Sequence, residues 1–126
     1  MSQEPTHPTA QAELNPTQVL VVYCTCPTAT AAEQLARSIV EARVAACVSI
    51  LPGLTSVYRW DGDICTDAEC LLMVKTNQST YPALETLIRA QHPYEVPEIL
   101  AVPAAAGHHE YLQWVHAQCA PPGIEQ

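Results

Sequence analysis

Short apolar runs rich in β-branched residues alternate along this chain with stretches of helical period, and the alternation lays out the elements in order. Gln18–Cys24 (QVLVVYC) has the length and composition of a buried strand, and Pro27 ends it. Thr30 and Glu33 form a T-x-x-E capping box, after which Leu35, Ile39 and Ala42 trace one helical face. Ala46–Trp60 is a long extended stretch, and Pro52-Gly53 within it predicts a bulge or kink. Asp61-Gly62 is a hairpin turn signal. A second long strand follows, its clearest part being Ala68–Thr76 (AECLLMVKT). Ser79 or Thr80 caps the next helix, Pro82 sits in its first turn, and Leu84, Leu87 and Ile88 form its apolar face. His92-Pro93 stops that helix. Glu98–Val102 (EILAV) reads as a fourth strand closed by Pro103, and a last short helix from about His109 to Ala117 carries Tyr111, Leu112 and Val115.

The order β-α-β-β-α-β with a C-terminal helix predicts an α+β fold of ferredoxin-like arrangement, with two helices on one face of an antiparallel sheet. The other face of a monomer should then be polar. Here both parities are apolar. Val19, Val21 and Tyr23 oppose Leu20, Val22 and Cys24 on the first strand, and Leu71 and Met73 oppose Cys70, Leu72 and Val74 on the third. On the fourth, Ile99 and Ala101 oppose Leu100 and Val102. Burying a large apolar side chain is worth about 1.5–3 kcal/mol, so a sheet apolar on both faces predicts self-association. The pattern leaves the number of copies open.

Composition narrows the function classes. With 126 residues the chain makes one domain, assigned to residues 18–118 between a disordered lead-in (1–17) and a tail (119–126). Only 14% of residues are charged, a further hint of buried surface between copies. A net charge of -8, with Lys75 the single lysine, argues against nucleic acid as a partner, which needs a basic footprint. No apolar window is long enough to span a membrane, and the first residues lack the layout of a secretory signal. The six cysteines, at 24, 26, 47, 65, 70 and 119, lie mostly in apolar runs, as reduced core thiols do, and a cytoplasmic location is expected.

Candidate chemistry is sparse. Cys24-x-Cys26 at a strand end would put two sulfurs on one face, and soft thiolates suit Cu(I); Cys24 filling core and Cys26 sitting in a loop is the plainer alternative. His92, at a helix end, suits either dipole capping or copper ligation. Neighbouring residues His108 and His109 point apart on a helix, so solvation is the better reading for them and for His116. Glu69 and Lys75 share parity on the third strand. With Glu98 they would line a cleft between subunits or form salt bridges across it. Tyr58, Trp60 and Tyr94 could stack on a ligand there or supply contact area. No G-x-S-x-G, triad ordering or Gly-rich phosphate loop is present, so no enzymatic activity is expected. An acyl-phosphatase reading would need an arginine between Cys24 and Thr30, and none is there.

Ala45–Trp60 (AACVSILPGLTSVYRW) with Asp61-Gly62, Met73–Thr76 (MVKT) and His92–Ile99 (HPYEVPEI) resemble segments of the CutA, or divalent cation tolerance, family. The similarity runs from about Val19 to Val115. It implies a ferredoxin-like subunit in a homotrimer, sheets packed around the threefold axis and the long hairpin reaching a neighbour. It also implies kinship in architecture with PII-like signalling trimers, whose ligands sit in clefts between subunits. Copper-binding members carry a cysteine near the end of the first strand and a His-His pair before Pro-Tyr. Cys24 and His92 match that pattern, while Gln91 replaces the first histidine and Asp63 stands where many relatives have lysine or glutamate. The resemblance thus implies a protein of the response to metal ions, with weak copper binding at Cys24 and His92. The alternative is a PII-like adaptor that binds a small ligand in the cleft.

Overall fold

The computed structural model describes residues 15–120; the proposed lead-in up to residue 14 and the tail from 121 lie outside the described residues. The element order is β1 (Val19–Cys26), α1 (Ala29–Glu41), β2 (Cys47–Trp60), β3 (Asp63–Asn77), α2 (Tyr81–Gln91), β4 (Leu100–Pro103) and α3 (His109–Gln118). The four strands form one antiparallel sheet in the order β2-β3-β1-β4, the ferredoxin-like arrangement anticipated from the pattern.

Local boundaries differ from the expected ones where a side chain found a better partner. β1 continues two residues past Cys24, to Cys26, because β3 is long enough to pair it out to Cys26↔Cys70. The cap of α1 is Thr28, whose side chain accepts from the Ala31 N–H at 3.1 Å, and not Thr30. Glu33 is therefore one turn inside the helix, where it pairs with Arg37 at 3.1 Å on the surface. Neither Ser79 nor Thr80 caps α2 with its side chain. Asn77 Oδ1 takes that part, accepting from the Thr80 N–H at 2.9 Å. The bulge expected at Pro52-Gly53 is present as a register shift between Leu51 and Leu54. Asp61 and Gly62 both have positive φ, 54° and 87°, as a two-residue turn joining right-twisted strands requires.

Leu20, Val22 and Cys24 of β1 and Leu72 and Val74 of β3 point to α1 and α2, and with Leu35, Ile39, Leu84 and Ile88 they make the main core. The opposite face is covered at one end only. There α3 lays Val115 and Leu112 against Val19, Ala46 and Ala104 in a smaller cluster. Cys119 and Ala120, assigned to the tail from sequence, continue that end inward: Cys119 is buried beside Thr76, and the Ala120 N–H donates to the Arg43 carbonyl at 3.0 Å. The rest of the face stays open, with Leu51, Leu100 and Val102 exposed beside half-buried Tyr23, Leu71 and Met73.

Candidate metal centre and cleft

The end of β1 and the end of α2 meet at three ligand types. Cys24 and Cys26 lie two residues apart on a strand, so the pleat aims both sulfurs to the same, helix-covered side. His92 ends α2, its backbone turned to φ -71° and ψ 140°, the extended conformation that a following proline demands. The imidazole folds inward rather than out to solvent and is 8% exposed; both cysteines are fully buried. The Cys24 and Cys26 sulfurs and a His92 ring nitrogen all lie within 4.8 Å of one another, with Cys26 Sγ 3.8 Å from His92 Nε2.

Hydrogen bonds assign the imidazole its tautomer. Nε2–H donates to the Thr25 carbonyl at 2.7 Å, and Nδ1 accepts from the Tyr94 N–H at 3.0 Å, so the ring is neutral with its proton on Nε2. The two sulfurs are shifted in opposite directions. Cys24 is pushed well above the usual thiol range by its hydrogen bond to Cys26 and by burial, with nearby Glu98 and Glu69 adding to it. Cys26 is lowered, because the Cys24 thiol donates to it. From sequence, the family resemblance matched Cys24 and His92, and Cys26 was either the second sulfur of a C-x-C pair or a loop residue. The structure continues β1 through Cys26, so Cys26 lies on the strand two residues from Cys24 and not in a loop. Gln91 is exposed at the last position of α2.

The second group of candidates is divided by the fold. Tyr58, Trp60, Glu69, Tyr94 and Glu98 line one cavity of about 680 Å³ between the β2–β3 hairpin and the segment after α2. Tyr94 donates to Glu69 Oε2 at 2.7 Å, and Tyr58 donates to Asp67. Lys75 does not join them. It is six residues beyond Glu69 on an extended strand, about 20 Å away at the usual rise, and its Nζ donates to Ser49 Oγ at 2.8 Å and the Met73 carbonyl at 3.3 Å. Equal parity put Glu69 and Lys75 on one face, but the length of the strand separates them. Of the remaining histidines, His108 caps α3 by accepting from the Tyr111 N–H, and His116 Nδ1 is 2.9 Å from Asn77 Nδ2, so both do more than face solvent.

A family model described as CutA1 divalent ion tolerance protein matches residues 20–118. The divalent-cation tolerance protein CutA of Thermus thermophilus is 50% identical over 95 residues, which cover 75% of this chain and 92% of that one. Mouse protein CutA is 46% identical over 101 residues, covering 80% of this chain and 57% of the longer mouse protein. The crystal structure of CutA from Xylella fastidiosa superposes with a TM-score of 0.80 at 42% identity, covering 82% of this chain and 99% of that one.

Proposed function

The chain belongs to the CutA1 divalent ion tolerance family, and from that premise we propose that it is a homotrimeric, metal-responsive protein that weakly holds Cu(I) at the base of β1. Cys24 and His92 are the ligands, with Cys26 as a third that takes the place left by Gln91. The observation that carries this reading is the convergence of two sulfurs and an imidazole nitrogen within 4.8 Å. Metal–sulfur and metal–nitrogen bonds of about 2.3 and 2 Å span at most about 4.3 Å, so the 3.8 Å between Cys26 Sγ and His92 Nε2 fits two ligands of one ion. Thiolates and imidazole are soft donors, and Cu(I) prefers them over the carboxylates that hold Mg²⁺ or Ca²⁺.

Weakness follows from what binding must undo. Both thiols have to lose their protons, against the hydrogen bond to Cys26 and the burial that hold the Cys24 proton in place. His92 must also give up its 2.7 Å bond to the Thr25 carbonyl before Nε2 can face a metal. Protein function here consists of binding and assembly, without a catalysed reaction, in a cytosol that keeps the six free cysteines reduced.

The test is an anaerobic Cu(I) titration against a competing chelator. Cys24→Ser and Cys26→Ser each abolish uptake, His92→Ala weakens it, and Gln91→His tightens it. Unchanged binding in both serine variants, with binding lost on removal of His108 and His109, would place the site elsewhere. If none of these changes matters, the leading account becomes a PII-like adaptor that binds a small ligand in the cleft. One observation favours that second reading independently: the cavity lined by Tyr58, Trp60, Glu69, Tyr94 and Glu98 is the size of a small-molecule site.

A further inference from the structure

The cavity between the hairpin and the segment after α2 has a lining that points to a ligand class. Among the described residues, three aromatic side chains, Tyr58, Trp60 and Tyr94, and three carboxylates, Glu69, Glu95 and Glu98, contribute to its wall, and no lysine, arginine or histidine does. Glu69 is the informative member, because it is 8% exposed. One of its oxygens accepts from the Tyr94 hydroxyl, and among the described residues nothing donates to the other. Every lysine and arginine of the chain lies within the described residues, where the one ion pair is Arg37–Glu33. Buried carboxylates are ordinarily matched by a cation. Among the described residues, none is paired with Glu69.

We propose that this cavity binds an organic ammonium ion, with Glu69 as its counter-charge and Tyr58, Trp60 and Tyr94 as the aromatic surfaces around its alkyl groups. An ammonium ion is drawn both to carboxylates and to the faces of aromatic rings, and this wall supplies the two together. A bare metal ion fits less well. Among the described residues the one group of three ligand atoms close enough to share an ion is Cys24, Cys26 and His92, so Glu69, Glu95 and Glu98 do not converge on a point. At about 680 Å³ the space exceeds that of a hydrated metal and suits an alkylated or extended amine. Tyr94 links the site to the Cys24–Cys26–His92 cluster: its hydroxyl holds Glu69, its backbone N–H holds His92 Nδ1, and the two rings lie 4.9 Å apart. The proposal rests on the cleft reading given above as the second function and is independent of copper.

The experiment compares three probes of equal chain length, butylammonium, butan-1-ol and butanoate, by saturation-transfer NMR and by tryptophan fluorescence in a Trp114→Phe background. Butylammonium binds and the other two do not. Glu69→Gln weakens it about tenfold, as loss of a charge-assisted contact should. Trp60→Ala weakens it about fivefold, the scale of one cation–π contact. If butan-1-ol binds as well as butylammonium and both depend on Trp60, the cavity is a ligand site of a different class and the ammonium assignment falls. If no probe binds and Glu69→Gln or Trp60→Ala changes the number of subunits, the wall is an interface matched by a second copy. That outcome overturns the cleft reading as well.

Discussion

Replacing Leu100 tests the proposed assembly at the place where the subunit is least self-sufficient. Leu100 pairs with Tyr23 across β1 and β4 and projects to the side away from α1 and α2, where 59% of it is exposed. Full burial of a leucine is worth about 1.5–3 kcal/mol, so covering the remaining area contributes about 1–2 kcal/mol per subunit. Summed over three copies, Leu100→Ala removes about 3–5 kcal/mol from the trimer, which raises its overall dissociation constant by about 10²–10⁴. Leu100→Asp does more, since each copy then carries a charge into an apolar contact with no partner for it. Sedimentation equilibrium at low micromolar concentration should give three chains for the wild type, a concentration-dependent mixture for the alanine variant and dissociated chains for the aspartate variant. Circular dichroism serves as the control, because the side chain contributes little to the subunit's own core. Two results would refute the reasoning: a wild type that sediments as a folded monomer, or an aspartate variant that remains fully trimeric.

Two further predictions follow from particular groups. Burial and a hydrogen bond to Glu85 push Tyr81 up to about 12 from an ordinary value near 10. The neutral phenol is thus favoured in the folded state, and the stability it contributes is present below about pH 10 and lost as the pH rises toward 12. Tyr81→Phe should therefore flatten the alkaline limb of a thermal-melt series, and an unchanged limb would show that Tyr81 does not carry it. Truncation of the first fourteen residues, chosen because Asn15 Oδ1 still accepts from the Thr17 N–H at 2.8 Å, should leave melting temperature and assembly unaltered; a clear drop would show that the lead-in packs.

Hydrophobic period alone determined the element order, the ferredoxin-like sheet and the surplus apolar face, because strands and helices repeat every 2 and 3.6 residues and each large side chain must be buried somewhere. Turn chemistry was equally local, and Asp61-Gly62 and the bulge near Pro52-Gly53 were legible for that reason. The caps were not. Thr28, Thr30, Ser79 and Thr80 are all capable of capping, and the choice of Thr28 and the use of Asn77 came from where β1 and β3 leave the chain. Parity suggested that Glu69 and Lys75 share a face, but distance along the strand and the folding-back of Pro93–Glu98 decided that Tyr94 and Glu98, and not Lys75, accompany Glu69. The Cys24–Cys26–His92 cluster shows the same division. Spacing put Cys24 and Cys26 on one side of β1, whereas His92 lies 66 residues away from Cys26 and reaches it only because α2 runs back across the sheet. The opposite shifts of two buried sulfurs depend on their mutual hydrogen bond and their burial, and a linear sequence encodes neither directly.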